Sequence, residues 1–145
     1  MRGHWHRSVS LWAPPALYAL AIFVSSSLTA VPSPPPHFTD KHVHLLAFGG
    51  FALVLVRALS GGRWSGISVS TTLQAVTIAV VYGITDEWHQ AFVPGRHADV
   101  ADVLADAAGA ALAVAVVGAI ARWGRAAGRV DSTIERAGER AGQTP

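Results

Sequence analysis

Cysteine is absent from the 145 residues, which excludes a disulfide scaffold and any thiolate metal site and leaves the redox compartment unread. Charge is scarce as well. Only 14% of the residues are Asp, Glu, Lys or Arg, against about a quarter in a soluble domain, while 51% are hydrophobic. That imbalance argues against an ordinary soluble domain and for a membrane protein, and the length leaves room for one domain. A nucleic-acid signal is missing too. The formal charge of +2 and the pI near 9.7 come from arginines gathered at the chain ends, and those of the tail alternate with acids and lack interleaved aromatics.

What the chain does have is four apolar runs. The first extends from Leu11 to about Val31, behind Arg2 and Arg7, with Pro14 and Pro15 expected in its first turns, where a missing amide hydrogen costs least. It reads as a retained span rather than a signal peptide, being long for a signal core and without a clear small-x-small cleavage site near Ala30. Pro32-Ser33-Pro34-Pro35-Pro36-His37 then reads as a short stiff connector. Thr39 or Asp40 can cap a second helix, from Lys41 to about Ser60, and Gly61-Gly62-Arg63 forms a turn. A third run covers Ile67 to Ile84 and a fourth covers Val100 to Trp123. About 20 residues of helix cross a bilayer core. The predicted fold is therefore all-α, a polytopic four-transmembrane-helix bundle. Residues 1–10 form an N-terminal arm, 11–123 the membrane domain and 124–145 a tail, read as a frayed amphipathic helix or an unstructured end, with attraction to anionic lipid as a sharper alternative.

The basic residues orient the bundle. Four spans put both termini on one side, and nine of the 11 Lys+Arg fall there: Arg2 and Arg7 in the arm, Arg57 and Arg63 between the second and third runs, and Arg122, Arg125, Arg129, Arg136 and Arg140 at the end. Only Lys41 and Arg96 lie opposite. The positive-inside rule predicts a multi-pass cell-membrane protein with both ends cytoplasmic. Six of the nine acids then face outward: Asp40, Asp86, Glu87, Asp99, Asp102 and Asp106.

Helical spacing groups these polar residues. Asp40 and His44 share a face of the second helix, and Lys41, His44 and Phe48 continue it. Asp86, Glu87 and Gln90 cluster at the end of the third helix, one turn beyond Tyr82 and Gly83. Asp99, Asp102, Asp106 and Gly109 recur at intervals of three and four on the fourth helix. An Asp at the bilayer centre is unfavourable by roughly 2.5–3.5 kcal/mol, less near the interface. Asp106, two turns inside its helix, should turn toward partners, and Lys41, Arg96 and the histidines are the candidates. For Asp99, solvation at the helix end is the plainer expectation.

These residues carry a resemblance. Asp40-Lys41-x-x-His44 with Phe48, Asp86-Glu87-x-x-Gln90-x-Phe92, Pro94-Gly95-Arg96 with Asp99 and Asp102, and Gly109 together resemble the VanZ-like proteins, small bacterial membrane proteins associated with glycopeptide resistance. The resemblance runs from Leu11 to Ile120 and departs from the family pattern at Asp106, where Asn is usual. It implies an association with reduced sensitivity to teicoplanin-type antibiotics, which act at the outer face of the membrane, and implies no biochemical mechanism.

Several functions stay open on the residues. The first is an outward pocket of Asp40, Lys41, His44, Asp86, Glu87, Gln90, Arg96, Asp99, Asp102 and Asp106 that binds the headgroup of a membrane lipid or lipid-linked envelope precursor, with Lys41 and Arg96 on phosphate. In the second, His44 and Glu87 are catalytic candidates of a membrane-embedded enzyme. A third is a purely structural salt-bridged bundle, in which Ala105, Gly109 and Ala113 let helices approach closely. Transport is disfavoured because the polar cluster sits at one end of the spans. No cofactor or metal is expected, since Lys41 and Arg96 compete for the carboxylates and no two histidines fall four apart. His42 points away from His44, and His37, His89 and His97 read as interfacial. A homodimer stays open. A reporter fused after Pro145 is expected to report the cytoplasm, with no cleavage after Ala30; an extracytoplasmic reporter would overturn the topology.

Overall fold

The computed structural model describes residues 2–29, 35, 37–63 and 67–141. Among them the regular secondary structure is all helical, with four helices and no strand: α1 Arg2–Ser26, α2 Asp40–Leu59, α3 Val69–Gln90 and α4 Val100–Ala141. Each start has a local cause. Thr39 is the N-cap of α2, its backbone N–H donating to His42 Nδ1 at 3.1 Å, so Asp40 is the first helical residue rather than the cap. Ser68 caps α3 by accepting from the Thr71 amide at 3.1 Å. Asp99 does the same for α4, accepting from the Ala101 amide at 2.8 Å. Gly61 and Gly62 have φ of 66° and 77° and close α2 through the expected turn. Most of the proline-rich connector, and Ala30, lie outside the described residues.

The first helix departs from expectation. It begins at Arg2 rather than Leu11 and ends at Ser26 rather than Val31, so Pro14 and Pro15 stand in its interior and not in its first turns. A proline at 14 removes the amide that would bond the carbonyl of residue 10. Arg57 of α2 supplies the replacement, its Nη1 donating to the Ser10 carbonyl at 3.2 Å. Arg7 reaches the Gly61 carbonyl at 3.4 Å, so both arginines tie this half of α1 to the end of α2.

The centre of the bundle is the α2–α4 seam. Its closeness comes from absent side chains. A Cβ on Gly109 would stand 2.8 Å from the carbonyl carbon of Leu45, and one on Gly49 would stand 3.3 Å from the Gly109 carbonyl oxygen and 3.6 Å from Ala113 Cβ. Around this seam Phe48, Phe51, Ala52, Leu55 and Val56 of α2 pack with Ala110 and Val114 of α4. Helix α3 contributes the buried stripe Thr71, Ala75, Ala79 and Gly83, whose small residues let its backbone come near. Tyr18 of α1 stacks on Phe51 with ring centroids 6.0 Å apart, and Tyr82 donates its hydroxyl to the Ala19 carbonyl at 2.7 Å.

Among the described residues three helical segments are long and apolar enough to cross a membrane: His6–Ser26, Asp40–Leu59 and Val100–Ala126. The third run, expected over 67–84, is the helix Val69–Gln90, and it falls outside that set. Ser70, Thr71, Thr72 and Gln74 open it and Asp86, Glu87 and Gln90 close it, which lowers its apolar character at both ends. The last helix runs past the expected Trp123 to Ala141; its 42 residues span about 63 Å at 1.5 Å each, about twice a bilayer core.

Gly109→Val forces a side chain into the Leu45 backbone and is expected to lower stability by about 1–3 kcal/mol or more. Gly118→Ala, at a position with nothing within 4 Å, is expected to be neutral or mildly stabilising. Thermal unfolding in detergent, followed by circular dichroism, compares the two.

Candidate functional site

The C-terminal ends of α1 and α3 meet the N-terminal ends of α2 and α4 at one end of the bundle, and the polar residues gather there. On the α2–α4 side, Lys41 Nζ lies 2.5 Å from Asp99 Oδ2 and 2.6 Å from Asp102 Oδ1. Its ammonium, together with the Ala101 amide, holds the Asp99 carboxyl below the ordinary carboxylate range, so Asp99 stays ionised at neutral pH. One turn deeper, His44 Nδ1 stands 3.0 Å from Asp106 Oδ1. With Asp106 ionised its carboxylate offers only acceptors, and Nδ1 is then the nitrogen that donates in this pair. Asp106 is 1% exposed, and its other oxygen, Oδ2, has no hydrogen-bond partner among the described residues. That oxygen occupies the space a side chain on Gly83 would need: a Cβ there would be 2.7 Å away.

On the α3 side the hub is Gln90. Its Nε2 donates to Asp86 Oδ2 at 2.9 Å and to Glu87 Oε1 at 3.2 Å. Its Oε1 accepts from Arg96 Nε at 3.0 Å and Nη2 at 2.6 Å. The turn Val93-Pro94-Gly95-Arg96 makes this reach possible, with the Arg96 amide bonded to the Val93 carbonyl at 3.0 Å and Gly95 at φ 84°, where a glycine is favoured. Glu87 Oε2 accepts the Asp99 amide at 2.8 Å and so joins the end of α3 to the start of α4.

A cavity of about 280 Å³ opens between α1, α2 and α3, lined by Asp40, His44, Asp86, Gln90 and Arg96 with Tyr18, Ser25, Ser26 and Phe48. Five of the ten expected ligand residues therefore reach it, while Lys41, Glu87, Asp99, Asp102 and Asp106 hold those five or each other. Lys41 has both of its acids, whereas Arg96 has none: among the described residues its side chain bonds only the neutral amide of Gln90. Of the two catalytic candidates, His44 lines the cavity and Glu87 does not. A second cavity, of about 330 Å³, lies at the far end of the bundle beside Arg57 and Arg63 and touches none of these residues.

Helix α1 was not expected in the site, yet Ser26 donates its hydroxyl to Asp86 Oδ1 at 2.5 Å and Ser27 meets His89 Nε2 at 2.9 Å. The available signal was the serine triplet 25–27 ending an apolar run, at a level where hydroxyls need partners.

An all-helical chain with three segments able to cross a membrane, and a buried polar network at one end of them, is a membrane protein. It belongs to the VanZ/LLP1 family, which matches residues 5–121, nearly the whole helical region through the apolar part of α4. No curated protein and no solved structure matches it.

Ser26→Ala is expected to cost about 1.5–3 kcal/mol, the range for a hydrogen bond to a charged group. Ser25→Ala, whose hydroxyl among the described residues bonds only its own helix at the Ala21 carbonyl, should stay within about 0.5 kcal/mol. Unfolding of the two variants in detergent separates them.

Proposed function

We propose that the chain is a four-span membrane protein with both termini in the cytoplasm, and that its polar cavity faces outward and binds the phosphate-bearing headgroup of a lipid or lipid-linked envelope precursor. The observation that carries this reading is Arg96. This residue lines the cavity, and its guanidinium's only side-chain partner among the described residues is a neutral amide. A half-buried guanidinium without a carboxylate retains N–H donors in a planar fork that suits phosphate. The outward-facing exposed residues of the spans, such as Leu17, Leu20, Leu112 and Val116, support immersion in lipid. α3 completes the four-span bundle because its polar groups at the cavity end, Asp86, Glu87 and Gln90, are buried among the other helices, which lowers the cost of crossing. Lys41, held by Asp99 and Asp102, serves the site as a brace rather than as a phosphate contact.

Reduced sensitivity to teicoplanin-type antibiotics is the phenotype that an outer-face headgroup binder of this family would confer. In a sensitive host expressing the chain, Arg96→Lys and Glu87→Gln are each expected to return susceptibility to the level of cells without it, at unchanged membrane abundance. Native mass spectrometry of the purified protein should show a co-purifying phospholipid or isoprenoid phosphate that Arg96→Lys loses. Protection that survives both substitutions would remove the pocket from the function, and loss of the folded protein would favour a purely structural network.

A further inference from the structure

The site holds more carboxyl groups than fixed cations. Asp40, Asp86, Glu87, Asp99, Asp102 and Asp106 gather at one end of the helices, and the fixed cations there are Lys41 and Arg96. Carboxylates this close, several of them buried, need a cation or a proton to persist in a medium of low dielectric. Asp40, His44 and Asp102 each place one ligand atom within 4.8 Å of the others. His44 is 8% exposed and lines the cavity with Asp40. Its Nδ1 is taken by Asp106, and its Nε2 has no hydrogen-bond partner among the described residues. A buried imidazole held at Nδ1 by a carboxylate, with Nε2 left free, has the arrangement that orients a metal-binding histidine.

We infer that Asp40, His44 and Asp102 form a binding site for a divalent first-row metal ion, Mn²⁺ or Zn²⁺, with Asp106 fixing the imidazole from behind. One nitrogen and two carboxylate donors select this class: carboxylates suit Mn²⁺ and the imidazole suits Zn²⁺. The competition expected from the sequence is weaker than it looked. Arg96 engages Gln90 and none of the three donors, and Lys41 engages Asp102 alone among them. Lys41 hydrogen-bonds Asp102 through Oδ1, and among the described residues Oδ2 makes no hydrogen bond, which leaves it for an ion. The metal site does not rest on the headgroup reading, although an ion here and Arg96 across the same cavity would together suit a phosphate. It excludes His44 as a general base while the ion is bound, because both roles use the same nitrogen.

The test is titration of the full chain, purified tag-free in detergent without phospholipid, with Mn²⁺, the free ion being followed by electron paramagnetic resonance. The expected result is one bound ion per chain, lost in His44→Gln and weakened about 10–100-fold in Asp106→Asn, which disturbs the orientation of the ring. Lys41→Met gives the opposite sign: it removes a competing positive charge from Asp102 and should tighten binding, where a purely structural network predicts only lost stability. Wild-type protein that takes up no Mn²⁺, or His44→Gln that binds as the wild type does, overturns the proposal. Should the histidine variant fail to fold, the direction of the Lys41→Met effect decides instead, and weakened or unchanged binding there counts against the site.

Discussion

Asp106 is a carboxylate at 1% exposure, in a segment apolar enough to cross a membrane, and the structure around it is arranged to accommodate that group. One oxygen meets His44 Nδ1 at 3.0 Å across the α2–α4 seam, while the other fills the space left by the missing side chain of Gly83 on α3. Neither contact would form if the helices stood at ordinary separation. Gly109, one turn further along the same face of α4, lets the backbone of Leu45 come close enough for the imidazole to reach. Close backbone approach and polar pairing are therefore one constraint, since the glycines set the distance at which the buried charge finds its partner.

The two cations of the site divide its work according to what holds them. Lys41, a compact ammonium, sits between Asp99 and Asp102 and fastens the start of α2 to the start of α4. Arg96 is folded back by a proline-glycine turn onto Gln90, which itself holds Asp86 and Glu87. Gln90 thus couples a guanidinium to two carboxylates through a neutral amide, and Arg96 lines the cavity beside it. Glu87 looks catalytic in the sequence, but its oxygens are committed to the Asp99 amide and to Gln90, so it works as a joint between α3 and α4.

Much of this was legible in the chain. The intervals of three and four linking Asp99, Asp102, Asp106 and Gly109 identify one face of a helix, because side chains at that spacing overlie one another. The need for Asp106 to turn inward followed from the cost of a carboxylate in hydrocarbon, with the histidines among its candidate partners. Less visible was anything that depends on a neighbour. Pro14 and Pro15 looked like first-turn residues because the cost of an interior proline is local, whereas its relief is not: Arg57, from another helix, bonds the carbonyl that Pro14 leaves free. The role of Ser26 is hidden for the same reason, since a serine at a helix end has many uses and only the tertiary fold presents it to Asp86.

The sequence by itself determined the helical class, the apolar lengths, the polar face of each helix and the turn that brings Arg96 back, because these follow from composition, period and the dihedral preferences of proline and glycine. Tertiary structure decided which charge met which. Lys41 and Arg96 are equivalent as positive residues at one end of the helices, and only the packing of α2 against α4 gave Lys41 two acids, while Arg96, held by Gln90, has none among the described residues. Charge pairing is settled over a few ångströms between elements far apart in the chain, and helical periodicity has no access to that distance.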